Sequence, residues 1–179
     1  MYKHILVAVG LNPDLTTLKS AIEIALESGA RVTALHVVNP AAHLPGLADR
    51  TFCATLRTFE ALGRTVVDRS RRALDEAQCP GDAQMRMLPF GDVTVGQVIA
   101  DAADELGADL VVVGSNDPGW FLLYLQNMQK DVVRRCRTRV LVMTPACLPK
   151  ARHATDAVVA RRQSAQPRAA RKVNANATS

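Results

Sequence analysis

Residues 109–119, D-L-V-V-V-G-S-N-D-P-G, decide the fold of this chain. The run of four apolar residues, three of them β-branched valines, predicts a strand buried on both faces, which is typical of a central strand in a parallel sheet. Gly114 ends this strand, residues 115–119 predict a turn, and a helical pattern begins at Trp120. Ligands of open α/β sheets bind at the carboxyl ends of strands, in turns of this kind. The turn after Gly114 is therefore the first place to look for a phosphate-binding site.

The rest of the chain alternates strand and helix patterns in the same way. Strands are predicted at residues 4–9, 31–38, 85–88, 109–113 and 139–143, and helices at about 15–28, 50–78, 95–106 and 120–136. Asp14 is the predicted N-cap of the first helix, and Asp92 or Thr94 that of the third. Strands that alternate with helices favour right-handed crossovers, so the pattern predicts an α/β fold whose parallel sheet is covered on both faces.

Length, composition and charge indicate one globular domain followed by a tail. The chain has 179 residues, 48% of them apolar and 22% charged. Residues 1–149 carry a net charge of −1 and residues 150–179 a net charge of +6, so the basic character belongs to the end of the chain. We predict a domain over 1–148 and a basic, disordered tail over 149–179. The first apolar stretch is too short for a signal peptide and no run approaches the ~20 residues of a spanning helix, so we expect a cytoplasmic protein.

Residue patterns for catalysis or metal binding are missing from the sequence. The four cysteines are scattered without a C-x-x-C pair, which argues against a disulfide framework or a metal site. The four histidines are far apart and no serine lies in a G-x-S-x-G setting. We therefore predict no enzymatic activity.

Several short segments, taken together, resemble one known family. They are Y-K-H-I-L-V-A-V at 2–9, L-H-V-V at 35–38, G-D at 91–92, G-Q-V-I at 96–99, A-D-L-V-V-V-G at 108–114 and R-V-L-V-M at 139–143. In this order and spacing they resemble the universal stress protein family over residues 1–145. The resemblance implies a Rossmann-like five-stranded parallel sheet of order 3-2-1-4-5 and a role in stress response.

The resemblance also implies a homodimer joined through the last strand. That strand would be Val140, Leu141, Val142 and Met143. A short apolar strand at an open sheet edge is an aggregation liability unless something pairs with it, so the physical argument favours the same dimer.

One branch of the family binds ATP through an acidic residue after strand one and a G-x-x-G-x9-G-[S/T] motif after strand four. Here Gly10 replaces the acidic residue, and Gly114 fits the first glycine of the motif. The second glycine position falls on Asp117 and the last pair begins at Asn127. A phosphate loop needs bare backbone N–H groups and disfavours a carboxylate, so we expect no ATP and a likeness to the other branch, typified by universal stress protein A. The alternative is a nucleotide sensor with a divergent pocket between Gly10, Val38 and Gly114.

Two surfaces are candidates for partners. The cluster from Trp120 to Leu125 contains large apolar residues that either pack internally or bind a protein, while Phe121, Leu125, Met128, Val132 and Cys136 form a stripe predicted to lie in the core. A basic group at the end of the same helix complements the helix dipole. Its members are Lys130, Arg134, Arg135, Arg137 and Arg139. Together with the tail it would hold nucleic acid only weakly and without sequence specificity, since the tail has no aromatic residue for stacking.

Overall fold

A computed structural model of the chain describes residues 1–39, 50–89, 91–114 and 122–143, without the side chains of residues 50–52 and 122–127. Strands and helices alternate along these residues. In order they are β1 (His4–Ala8), α1 (Thr16–Ser28), β2 (Arg31–Val38), α2 (Arg50–Glu76), β3 (Gly81–Met87), α3 (Val95–Leu106), β4 (Leu110–Gly114), α4 (Leu122–Arg135) and β5 (Arg139–Met143).

The five strands form one parallel sheet in the order β3-β2-β1-β4-β5. The predicted fold class and strand order are thus confirmed. Strand β1 lies at the centre, where Ala8 is level with Leu35 of β2 on one side and with Val113 of β4 on the other. The carboxyl ends of β1, β2 and β4 therefore lie side by side at one end of the sheet.

Side chains alternate between two apolar cores, one on each face of the sheet. Ile5 and Val7 of β1 pack into the cluster that contains α1 and α2, whereas Leu6 packs into the cluster that contains α3 and α4. The valines of β4 divide in the same way, with Val112 on the first face and Val111 on the second. Because both faces are covered, β1 and β4 contain almost no polar residue, which is why the sequence pattern of β4 predicted its position.

Strand β3 is longer than predicted, since it runs over Gly81–Met87 rather than residues 85–88. It lies at an edge of the sheet, where Asp82 and Arg86 can reach solvent, so its sequence lacks a continuous apolar run. At its start it approaches β2 closely. A Cβ atom added to Gly81 would lie 2.2 Å from the backbone oxygen of Val32.

The helix caps agree with the sequence predictions in one case and differ in another. Of the two predicted candidates, Asp92 and Thr94, Thr94 caps α3, because its hydroxyl accepts a 3.1 Å hydrogen bond from the Gln97 N–H. Asp14 does not cap α1. The cap position is Leu15, in the left-handed region at φ 49° and without a side-chain cap, while the N–H of Asp14 donates to Asn12 Oδ1 at 3.0 Å. The side chain of Asn12 therefore closes a turn that shifts the helix start beyond Asp14.

Part of the predicted stripe on α4 lies in the core as expected. Val132 is fully buried against the second face, and Met128 and Cys136 pack beside it. Phe121, the side chain of Leu125 and the predicted domain boundary at 148/149 lie outside what the structure describes. None of the described helices is long and apolar enough to cross a membrane.

Candidate functional site

The carboxyl ends of β1 and β4 form the point where the chain changes its direction of winding. From β1 the chain proceeds to β2 and β3 on one side, then returns to β4 and β5 on the other. Ligand sites of open α/β sheets lie in the crevice at such a point. Gly10 follows β1 and Gly114 ends β4, so two of the sequence-predicted residues lie at neighbouring strand ends.

Gly10 lies in an exposed segment with free space around its α-carbon. A Cβ atom added there would meet no atom within 4 Å, so a larger residue would fit at this position. The residue before it is held firmly. The Val9 N–H donates to the Leu35 oxygen at 2.9 Å, and the Val9 oxygen accepts from His36 Nδ1 at 2.8 Å. The segment after β1 therefore starts from a fixed point and then opens to solvent at Gly10.

His36 is buried beneath this segment. A carbonyl oxygen can only accept, so the bond to the Val9 oxygen requires a proton on Nδ1. Burial lowers the pKa of His36, the bond to the Val9 oxygen opposes this shift, and the nearby Arg69 guanidinium adds to it. His36 is thus a structural residue at the crevice.

Gly114 is required for close packing with α1. A Cβ atom there would lie 2.5 Å from the hydroxyl of Thr17. The Gly114 oxygen in turn accepts a 2.7 Å hydrogen bond from Gln129 Nε2 of α4. The glycine that matches the first position of the phosphate motif therefore serves a contact between β4 and two helices.

Val38 ends β2, one strand beyond Gly10, and is buried. Its oxygen accepts a 2.8 Å hydrogen bond from the Leu88 N–H, and its side chain lies against α2, where a Cβ at Gly63 would be 2.8 Å from its Cγ2. The structure thus brings Gly10 and Gly114 to neighbouring strand ends and directs Val38 toward α2. Asp117, the side chain of Asn127 and the cluster from Trp120 to Leu125 lie outside the described part, so those predictions stand as made.

Helix α4 is anchored by Asp131, a residue that the sequence did not single out. Asp131 accepts hydrogen bonds from the Thr94 hydroxyl and, at 2.6 Å, from Arg135 Nε. Burial alone would raise the pKa of Asp131, but the bonds from Thr94 and Arg135 outweigh it and the pKa lies below its ordinary value. Gly96 makes room, because a Cβ there would be 2.7 Å from Asp131 Oδ2. The spacing of Asp131 and Arg135 on one helix could have suggested their ion pair, whereas the contact with Thr94, 37 residues away, could not.

The second described histidine lies at the opposite end of the sheet. His4 is buried, with Nδ1 3.0 Å from the Leu106 oxygen and Nε2 2.8 Å from the Thr33 hydroxyl. Burial lowers the pKa of His4, partly opposed by the bond to Leu106. In the described ranges no three His, Cys, Asp or Glu side chains are placed to hold a metal ion.

The predicted dimer strand is an edge strand, as the dimer requires. Strand β5 pairs with β4 on one side only within the described sheet. Val140 and Val142 pack partly into the second core, while Leu141 faces the other way and is 36% exposed. No partner chain is present, so the pairing itself stays a prediction.

Comparison with known proteins gives one consistent result. Residues 1–144 match the model of the universal stress protein family. Universal stress protein A of Photorhabdus laumondii is 31% identical over 121 residues, covering 66% of this chain and 80% of that protein.

Solved structures show the same fold. A universal stress protein family member from Burkholderia pseudomallei superposes with a TM-score of 0.62 at 24% identity, covering 79% of this chain and 96% of that one. A universal stress protein solved in complex with cAMP superposes with a TM-score of 0.51 at 22% identity, covering 80% and 97%. At these identities the likeness extends to the fold alone.

Proposed function

The chain belongs to the universal stress protein family, and we propose that it acts there as a cytoplasmic, non-enzymatic homodimer. In this proposal it takes part in the stress response through protein contacts rather than through nucleotide turnover. The observation that carries the proposal is the apolar, one-sided edge strand β5. A family resemblance suggested this strand, and its placement at the edge of the sheet supports it.

The sequence of β5 suits pairing about a two-fold axis. R-V-L-V-M is nearly symmetric about Leu141. An antiparallel pair centred on Leu141 would place Val140 opposite Val142 of the second copy and Leu141 opposite itself. Such cross-strand pairs of β-branched and aliphatic residues each contribute about 0.2–1 kcal/mol, and the exposed Leu141 side chain would be covered.

Light scattering of the purified chain tests the dimer, with two lysine variants as a matched pair. Leu141→Lys places two like charges against each other at the axis, so we expect a shift to monomer. Met87→Lys is the control, because Met87 is 40% exposed on the other edge strand and is similar in size. A monomeric wild type, or equal behaviour of the two variants, would reject the dimer through β5.

The expectation that ATP does not bind has support at two positions. Gly10 brings no carboxylate to the segment after β1, and Gly114 packs closely against the Thr17 side chain of α1. The non-enzymatic role is supported by the bond of His36 Nδ1 to the Val9 oxygen and by the bonds of both His4 ring nitrogens to Leu106 and Thr33. The test is to purify the protein without added nucleotide, denature it and analyse the supernatant by chromatography, then titrate ATP by calorimetry. We expect no nucleotide, no heat of binding and no hydrolysis.

A second candidate is a nucleotide sensor with a divergent pocket. Gly10 and Gly114 lie at the strand ends where such ligands bind in this fold class, and one solved family member was obtained with cAMP. Stoichiometric AMP, cAMP or ATP in the denatured supernatant would favour this candidate. The scattering experiment would be unaffected by that result, so the two proposals fail separately.

A further inference from the structure

A less exposed arginine is usually the one that has a carboxylate partner, but in α2 the more exposed arginines have the partners. Two exposed ones have carboxylate partners: Arg64 pairs with Glu60 at 2.6 Å and Arg71 with Asp82 at 3.0 Å. Arg69 is half-buried, yet among the described residues no carboxylate lies within 4.0 Å of its guanidinium. Its Nε atom is shielded from solvent and has no hydrogen-bond partner there.

The described surroundings of Arg69 do not compensate its charge. Among these residues its Nη2 atom donates one long hydrogen bond, of 3.4 Å, to the Leu11 oxygen in the segment between β1 and α1. On the sheet side lies His36, whose pKa is lowered chiefly by burial and also by the Arg69 guanidinium itself. Gly10, where the ATP-binding branch has an acidic residue, contributes no side chain.

The Nε donor of Arg69 is buried although the guanidinium as a whole is not, and a buried donor without a partner costs about 1–3 kcal/mol. A guanidinium carries five N–H donors in a planar fork that matches two oxygens of a carboxylate or a phosphate. Among the described residues this fork has one weak acceptor, the Leu11 oxygen. That acceptor belongs to Leu11, a residue 54% exposed in an open segment, so an anion arriving from solvent can compete with it.

We propose that Arg69 anchors a binding site for an oxyanion group, a phosphate or a carboxylate, at the segment that joins β1 to α1. The site lies on the α1–α2 face at the carboxyl end of β1, whereas the proposed dimer strand is β5 at the sheet edge. The inference does not rest on the dimer. It assigns to this chain a cationic contact at the end of β1, where the ATP-binding branch of the family has an acidic one.

The direct test is a titration followed by NMR of the arginine Nε–H groups. Inorganic phosphate and, separately, acetate are added to the full chain at constant ionic strength. We expect the Arg69 Nε–H resonance to shift to saturation, because an ordered oxyanion gives it its first acceptor. Arg72, exposed on the same helix, serves as the internal control and should show only a small linear drift. Equal drift at both positions would overturn the proposal.

Thermal unfolding supplies a second readout with matched variants. Phosphate or acetate should raise the Tm of the wild type and of Arg72→Met but not of Arg69→Met. If Arg69→Met does not fold, Arg69→Lys keeps the charge without the fork and should lose at least tenfold in affinity. Saturation by phosphate alone identifies a phosphate group, and saturation by acetate alone a carboxylate. An anion effect of the same size in Arg69→Met would overturn the proposal.

Discussion

The two edge strands of the sheet, β3 and β5, differ in how they meet solvent. The Pro80 oxygen accepts a bond from the Val32 N–H, and the Leu88 N–H donates to the Val38 oxygen. The backbone N–H and C=O groups of the even-numbered residues of β3 therefore face β2, and those of the odd-numbered residues face away from the sheet. The outward oxygen of Ala83 is covered by Arg71, whose Nη2 donates to it at 3.0 Å while its Nε binds Asp82.

Strand β5 lacks this protection within the described residues. Its three central side chains are Val140, Leu141 and Val142, and no described side chain bonds to its backbone or forms an ion pair along it. Charges on an edge strand discourage pairing with another chain, and a bare apolar edge invites it. The β3 edge is thus covered by the protomer itself, whereas the β5 edge has the character of a surface that a second strand completes.

The largest effect that we expect comes from a charged residue at the centre of β5. Leu141→Lys and Leu141→Asp should each weaken self-association on the order of 100-fold, about 2.7 kcal/mol, because like charges meet at the axis. A mixture of the two should associate again, since unlike charges then meet. Light scattering of each variant and of the mixture measures this. Recovery in neither the mixture nor high salt would contradict a pairing centred on Leu141.

The next effect concerns the contribution to stability of the close approach between β3 and β2. Gly81→Ala should lower the free energy of unfolding by about 1–3 kcal/mol, because the added Cβ would lie 2.2 Å from the Val32 backbone oxygen. Gly10→Ala is the control, since its Cβ meets no atom within 4 Å. Urea denaturation compares the two. Equal losses would show that the cost comes from glycine replacement in general and not from the approach of β3 to β2.

A smaller change in stability should follow from removing the cover of the β3 edge. Arg71→Met loses an exposed ion pair with Asp82, worth about 0–1 kcal/mol, and leaves the Ala83 oxygen open. We expect little change in Tm but faster aggregation on shaking, because the edge becomes available for pairing. Arg72→Met, one residue along the same helix and without a recorded ion pair, should not aggregate faster. The same rate in both variants would mean that Arg71 does not protect the edge.

Acidification should affect the centre of the sheet and leave the edges unchanged. The pKa of His36 and that of His4 lie below the ordinary value of 6.5, in each case chiefly because of burial. The unfolded chain therefore takes up protons near that value while the folded chain does not, so the free energy of unfolding falls as the pH drops below about 6.5. Urea denaturation at about pH 7.5 and 5.5 should show this loss, and His36→Asn should reduce it. Dimerisation should not change over the same range, since no described residue of β5 is a histidine.

Sequence reasoning succeeded where one local pattern determines the outcome. The bounds of β5 were predicted residue by residue, those of α3 were predicted approximately and agree, and Thr94 was one of two predicted caps. It failed at the start of β3, because the polar residues of this edge strand interrupt the apolar pattern. It also failed at the cap of α1, because the Asn12 side chain accepts a bond from the Asp14 N–H and closes a turn there. At the candidate site it found Gly10 and Gly114, but it missed Thr17, Gln129 and Arg69, because each of them acts on a residue that is distant in the chain.

The sequence by itself determined the fold class and the family, because apolar periodicity and turn residues act over a few neighbouring positions. Only the tertiary structure decided that the Arg69 Nε has no acceptor among the described residues and which edge of the sheet is covered. Arg69 and Leu11 are 58 residues apart, and Arg71 reaches Ala83 across the boundary of a helix and a strand. Contacts of this kind arise from packing one element on another, and packing depends on all of the elements at once.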